Sequence, residues 1–169
     1  MPDVRVNIVG VGNTLMGDDG VGPAAVAALA DRDDLPAGAC LHDAGLALSD
    51  VLGRLEPDRP LVVIDAVRAG DEPGTVYRVD VDDLSPVAEG PGGPISLHEI
   101  SVMPALQIEA LTGRRFDRVT VFGVEPADVS WGRRLSAPVA AALDGLLDAV
   151  IQHVHSVQPA ELIAGEPAR

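Results

Sequence analysis

Apolar positions along the chain form two kinds of segment that alternate from one end to the other. Short, nearly continuous apolar runs rich in β-branched residues indicate buried strands, and longer runs of helical composition indicate helices. The predicted strands are Val4–Val9, Ala39–His42, Leu61–Val67, Gly74–Val79 as a candidate edge strand, and Arg118–Val124. Four helices are predicted: one that begins at Pro23, one that ends near Leu55, one over Ser101–Leu111 and one from Pro138 to about Val154. Asp80–Pro94 is predicted to be a Pro/Gly-rich loop.

This alternation of strands and helices predicts an α/β fold. Because the strands are apolar along nearly their whole length, we expect a three-layer sandwich with helices on both faces of a twisted, mostly parallel sheet of about five strands. A single domain is predicted over residues 1–155, with a flexible C-terminal tail over residues 156–169. In such sheets ligands bind beyond the carboxyl ends of the strands, so the residues that follow each strand are the first candidates for a site.

The loop after the first predicted strand, "GVGNTLMGDDGVG" over residues 10–22, has the glycines of a nucleotide-binding turn. It lacks the third glycine of the dinucleotide fingerprint. Gly12 and Gly17 have the spacing of a P-loop, but Gly17 is followed by Asp18 and Asp19 where a P-loop has Lys and then Ser or Thr. Two carboxylates would repel a polyphosphate, so the loop favours a cation as its ligand. One of the two acids is also expected to be the N-cap of the helix that follows.

Other strand ends and loops carry further groups that bind metals. Asp65 closes the apolar strand "LVVIDAV", where an unpaired carboxylate is costly to bury, and Asp43 follows the second strand. His98 precedes the third helix in "PISLHEISVM". Two carboxylates and one imidazole, with coordination positions left open, would suit nickel, zinc or a similar divalent ion. Each residue also has a structural alternative as a cap or core group, and spacing alone does not show that they converge.

Composition narrows the classes of partner. The chain has 169 residues, of which 26 are acidic and 12 basic, for a formal net charge of -14. This balance disfavours nucleic acid and anionic membranes as partners. The single cysteine, Cys40, leaves no internal disulfide. Because no signal peptide and no apolar run of membrane-spanning length is recognisable, a cytoplasmic protein is predicted.

Five segments, "GVGNTLMGDDGVG", "DAG", "LVVIDAV", "SLHEIS" and "VFGVEP", together resemble the motifs of the hydrogenase maturation endopeptidases. The similarity covers about residues 4–150 and implies the same twisted, mostly parallel sheet. It also implies that Asp19, Asp65 and His98 are the metal-binding and catalytic residues. Asp43 matches an aspartate that the family uses near the metal, although this chain has "DAG" where some relatives have two glycines.

The resemblance implies a specific reaction, substrate and partner. This family removes a short C-terminal extension from the large-subunit precursor of [NiFe] hydrogenases once nickel has been inserted. The precursor is then the partner and supplies the nickel, and the peptidase acts as a monomer. Ser96 and Ser101 are predicted to be helix-start residues and not nucleophiles. The alternatives are a self-contained metallopeptidase or amidase with its own zinc, a non-catalytic nickel-checking binding module and, more distantly, a nucleotide-binding protein.

Overall fold

The structure, a computed structural model, describes residues 5–81, 87–90, 93–96 and 101–158. Its strands are β1 (Val6–Val11), β2 (Ala39–Gly45), β3 (Leu61–Ala66), β4 (Val76–Val81), β5 (Val87–Gly90), β6 (Gly93–Ser96) and β7 (Val119–Val124). Its α-helices are α1 (Val21–Ala30), α2 (Leu48–Leu52), α3 (Val102–Leu111) and α4 (Ala137–Val157). A short 3₁₀ helix, Gly17–Gly20, precedes α1.

Five strands form the main sheet, in the order β2-β1-β3-β7-β4. The first four in this order run parallel, and β4 lies antiparallel along β7 at one edge. The predicted α/β class, the mostly parallel sheet and the edge position of β4 are therefore confirmed. The order also places the carboxyl ends of β1, β3 and β7 side by side at one end of the sheet, which is where a site is expected.

Helices cover both faces of the sheet, as predicted. α1 and α4 pack on one face, and α2 and α3 pack on the other. The strands lie between two apolar cores, which is why β1 and β7 are buried along their whole length. The first core contains Val21, Ala25, Leu29, Leu146, Val150 and Val154 from its helices, and the second contains Leu48, Leu52, Val102, Met103, Ala105 and Leu106.

Several predicted boundaries are wrong. β1 continues through Gly10 to Val11, whereas the sequence predicts that the strand ends at Val9. A Cβ on Gly10 would lie 2.4 Å from the carbonyl oxygen of Gly22, so the glycine lets α1 pack directly on β1. Asp80 belongs to β4 and not to a loop, because it pairs with Thr120 of β7. The predicted loop also contains β5 and the first half of β6, an antiparallel pair too short and too poor in alternating apolar residues to be recognised.

α4 is the element on which the membrane prediction depends. It is 21 residues long and, by length and composition alone, apolar enough to cross a membrane, so the prediction that no segment has this character was wrong. Its residues Leu146, Val150 and Val154 are buried in the core formed with α1 and the sheet. This packing, together with the more exposed polar residues of α4, identifies it as an amphipathic core helix. It ends at Val157, a few residues beyond the predicted end.

Candidate active site

A cleft of about 370 Å³ lies at the carboxyl ends of β1, β3 and β7. β1 leads into the loop that carries Asp19, and Asp65 is the penultimate residue of β3. The structure therefore brings together two of the three predicted site residues. The third, His98, lies outside the described residues. The cleft is lined by Asp19, Asp65, Ala66, Arg68, Ser101, Pro126 and Val129.

Asp65 is a buried carboxylate, with 4% of the residue exposed. The hydroxyl of Ser101 donates a hydrogen bond of 2.5 Å to its Oδ2 atom. Burial raises the pKa of Asp65 from 3.8 to about 6, and the negative charge of Asp19 adds to this increase. The hydrogen bond from Ser101 lowers the pKa but does not offset the effect of burial. No cation of the described residues pairs with it, so ionised Asp65 is costly unless a cation enters the cleft.

Asp19 is partly buried and is held by the glycine-rich loop itself. The backbone N–H of Asn13 donates a hydrogen bond of 2.7 Å to its Oδ2 atom. Gly12 makes this arrangement possible, because its φ is +133° and a Cβ there would lie 1.7 Å from the carbonyl oxygen of Asp19. The glycines of the loop thus allow the 3₁₀ helix to fold against the end of β1, and they place a carboxylate at the cleft.

Asp18 has a different role from its neighbour. It is fully buried and accepts hydrogen bonds from the backbone N–H groups of Ala127, Asp128 and Ser136 and from the Ser136 hydroxyl, at 2.7–2.9 Å. Burial alone would raise the pKa of Asp18, but these hydrogen bonds outweigh it and hold the pKa below its ordinary value. The N-cap of α1 is Gly20, and no side chain caps it. The prediction that one of the two acids caps this helix was therefore wrong, and Asp18 instead fastens the loop after β7.

Asp43 lies away from this cleft. It is exposed, its Oδ1 atom accepts a hydrogen bond of 3.0 Å from the Gly45 N–H, and it lines a second cleft of about 280 Å³ together with Arg133. Asp43 belongs to β2 itself and does not follow it, since the strand continues to Gly45. The structure therefore does not bring Asp43 together with Asp19 and Asp65.

Sequence reasoning missed the roles of two residues, Ser101, which lines the cleft, and Glu125, which directly precedes the lining residue Pro126. Ser101 was predicted to start a helix, and it does precede α3, but its hydroxyl makes no capping bond and is directed to Asp65 instead. Glu125 follows β7 and is 6% exposed; its Oε2 atom accepts hydrogen bonds from the Ala69 and Gly70 N–H groups and from the Tyr77 hydroxyl. The position of Glu125, an acidic residue directly after an apolar strand, is the sequence feature that could have identified it.

The two carboxylates that line the cleft have the chemistry to bind a cation. Asp19 and Asp65 offer carboxylate oxygens, which suit a divalent ion. In the part of the chain that the structure describes, no group of three or more His, Cys, Asp or Glu side chains is placed to hold a metal. Among the described residues, the two carboxylates by themselves would therefore be an incomplete ligand set for a divalent ion.

The fold and the cleft define a protein class: an α/β domain with an open acidic site at the carboxyl ends of a mostly parallel sheet. Comparison with known proteins gives the family. The model of the hydrogenase maturation protease family matches residues 23–153. The hydrogenase expression/formation protein HupD of Rhizobium leguminosarum bv. viciae is 30% identical over 156 residues, which cover 92% of this chain and 76% of that protein.

Solved structures agree with this match. A hydrogenase 2 maturation peptidase from a Thaumarchaeota archaeon is 28% identical, with a TM-score of 0.68 over 89% of this chain and 98% of that one. The hydrogenase maturating endopeptidase HybD from E. coli is 25% identical, with a TM-score of 0.72 over 90% of this chain and 93% of that one. The chain belongs to the hydrogenase maturation protease family, and it is a peptidase. The family predicted from the motifs is thus confirmed.

The raised pKa of Asp65 has a consequence for stability. Because the folded protein holds the Asp65 proton more tightly than the unfolded chain, this residue makes the free energy of unfolding fall as pH rises from 3.8 to about 6. We expect Asp65→Asn to be more stable than the wild type at pH 7 by about 3 kcal/mol, with no such gain at pH 4. Denaturant unfolding of both proteins with a chelator present, from pH 4 to pH 7, measures this difference. A difference that does not change with pH would contradict it.

Proposed function

We propose that this chain is the endopeptidase that removes a short C-terminal extension from the nickel-loaded large-subunit precursor of a [NiFe] hydrogenase. Membership of the family supports the class of substrate. The observation that carries the proposal is the convergence of Asp19 and Asp65 on one open cleft at the end of the sheet. We infer that a segment of the precursor enters this cleft of about 370 Å³ beside the two carboxylates.

In this proposal nickel belongs to the substrate and arrives with the precursor. Asp19 and Asp65 contribute carboxylate ligands, His98 contributes an imidazole, and the remaining ligands come from the precursor itself. The incomplete donor set among the described residues supports this division. A precursor without nickel would leave the buried Asp65 carboxylate without a cation, so recognition would depend on the metal being present.

Cleavage in this proposal uses water as the nucleophile. When bound, the nickel would polarise the scissile carbonyl or lower the pKa of the attacking water. Asp65 is held by the Ser101 hydrogen bond on its Oδ2 atom, which fixes the direction of the carboxylate in the cleft. Ser101 is thereby a positioning residue for Asp65. We also propose that the protein acts in the cytoplasm as a monomer, without nucleic acid or membrane as a partner, and the net charge of -14 supports the last point.

The first test is the intact mass of a nickel-loaded large-subunit precursor from the same cell source, before and after incubation with this protein. We expect a discrete loss of mass from the C-terminus in the nickel-loaded sample and none in a nickel-free sample. No change in either sample, while the two proteins form a verified complex, would favour a nickel-checking binding module. Cleavage of both samples by a protein that retains one tightly bound zinc per chain would favour a self-contained metallopeptidase.

A further inference from the structure

We propose that Arg68 is a substrate-binding residue that pairs with a carboxylate of the precursor segment entering the cleft, and that Glu125 is the positioning residue that holds Arg68 in place. This inference rests on the proposed function. It adds to the cleft a recognition element for an anion, next to the two carboxylates that recognise a cation.

The first observation is the surroundings of Arg68. It lines the same cleft as Asp19 and Asp65, and it is the only basic residue among those that line it in the described part of the chain. Arg68 is exposed, and its guanidinium makes no hydrogen bond or ion pair with another described residue. Other arginines are engaged within the protein: Arg32 with Asp34 and Asp148, Arg78 with Asp80, and Arg114 with Glu109.

The second observation is the anchoring of the backbone on both sides of Arg68. The Val67 N–H donates a hydrogen bond of 3.0 Å to the carbonyl oxygen of Val124. The N–H groups of Ala69 and Gly70 donate hydrogen bonds of 2.7 and 3.1 Å to Oε2 of Glu125. A carboxylate as buried as Glu125 is costly unless it is fully hydrogen-bonded, and here it binds the turn that presents Arg68. Arg68 is therefore presented from a fixed backbone at the rim of the cleft.

The chemistry of Arg68 selects a carboxylate as its partner. The planar guanidinium presents a fork of donors that matches both oxygens of a carboxylate, and such pairs are stronger than neutral hydrogen bonds. The protein has a net charge of -14, so most of its surface repels an acidic segment, and an unpaired arginine at the cleft gives that segment one favourable position. The carboxylate comes either from an acidic side chain near the cleavage site or from the C-terminus of the extension.

The test compares Arg68→Gln and Arg68→Lys with Arg54→Gln in the processing of nickel-loaded precursor. Arg54 is an exposed arginine that follows α2, before the amino end of β3 at the opposite end of the sheet, so its variant is a matched control. We expect Arg68→Gln to raise KM about tenfold with little change in kcat, Arg68→Lys to raise it less, and Arg54→Gln to change neither. An unchanged KM in Arg68→Gln, or a loss in kcat alone, would overturn the proposal. If the wild type does not process the precursor, the proposed function fails instead.

A charge swap identifies the source of the carboxylate. Arg68→Glu is combined with precursors in which each acidic residue of the extension is changed in turn to Lys, or in which the C-terminus is amidated. Restored processing with one Lys variant identifies a side chain, and restored processing with the amide identifies the C-terminus. Failure of all of them to restore processing would overturn the pairing.

A double variant tests the positioning role of Glu125. We expect Glu125→Ala to raise KM as Arg68→Gln does, and the double variant to have a KM no higher than that of Arg68→Gln, because both changes remove the same contact. Glu125→Gln keeps an acceptor for the backbone N–H groups and is expected to retain more of the affinity. If Glu125 had a purely structural role, the two variants would change KM independently. A KM increase in the double variant equal to the product of the two single increases would therefore contradict the positioning role of Glu125.

Discussion

Asp65→Asn is expected to reduce processing of the nickel-loaded precursor by at least about 100-fold, because it removes the charge of a carboxylate that the proposed site uses to bind nickel. Asparagine has the same shape and can still accept the hydrogen bond from Ser101, so the fold is expected to persist. The same variant is expected to gain stability at neutral pH. Loss of function together with a gain in stability would identify Asp65 as a residue kept for its chemistry and not for folding.

The measurement is the rate of mass loss from the precursor under single-turnover conditions, with Asp58→Asn as the control. Asp58 is exposed and lies before β3 at the opposite end of the sheet, so its variant should process at the wild-type rate. Asp19→Asn and His98→Ala are expected to lose processing as Asp65→Asn does. Full activity in any of these three would remove that residue from the site.

The fold could be predicted from the sequence because its strands are short and apolar. The segment "LVVIDAV" became β3, whose residues from Leu61 to Asp65 are all buried. The predicted strand boundaries were less accurate, because a glycine can either end a strand or lie inside one where another element packs closely against it. The sequence predicts a strand end at Gly10, but Gly10 lies inside β1, where α1 packs too closely for a side chain. Only the contact with Gly22 reveals this, and that contact is not visible in the local sequence.

The site could be predicted only in part, for a similar reason. Asp18 and Asp19 are adjacent, and the composition of their loop does not say which one faces the cleft. The distinction depends on Ala127, Asp128 and Ser136, whose donors surround Asp18 and lie more than 100 residues further along the chain. The resemblance to a known family implies Asp19, which is the acid of the pair that lines the cleft, whereas Asp18 already accepts four hydrogen bonds.

Asp18→Ala is expected to lower the free energy of unfolding by about 3–5 kcal/mol, the second large effect. The change leaves the N–H groups of Ala127, Asp128 and Ser136 without their shared acceptor in a buried place. It also releases the loop after β7 from the glycine-rich loop, so Asp19 would lose its fixed position at the cleft. Processing is therefore expected to fall as well, although Asp18 does not face the substrate.

Denaturant unfolding of Asp18→Ala and the control Asp58→Ala measures this effect, and the control should remain within about 0.5 kcal/mol of the wild type. The pKa of Asp18 is lowered in the folded protein, so its contribution is fully present above its unfolded pKa and is lost as pH falls through the folded value. The gap between wild type and Asp18→Ala should thus be constant at neutral pH and narrow below about pH 4. A gap that stays constant in acid would mean that the side chain stabilises the protein by packing alone and not by its charge.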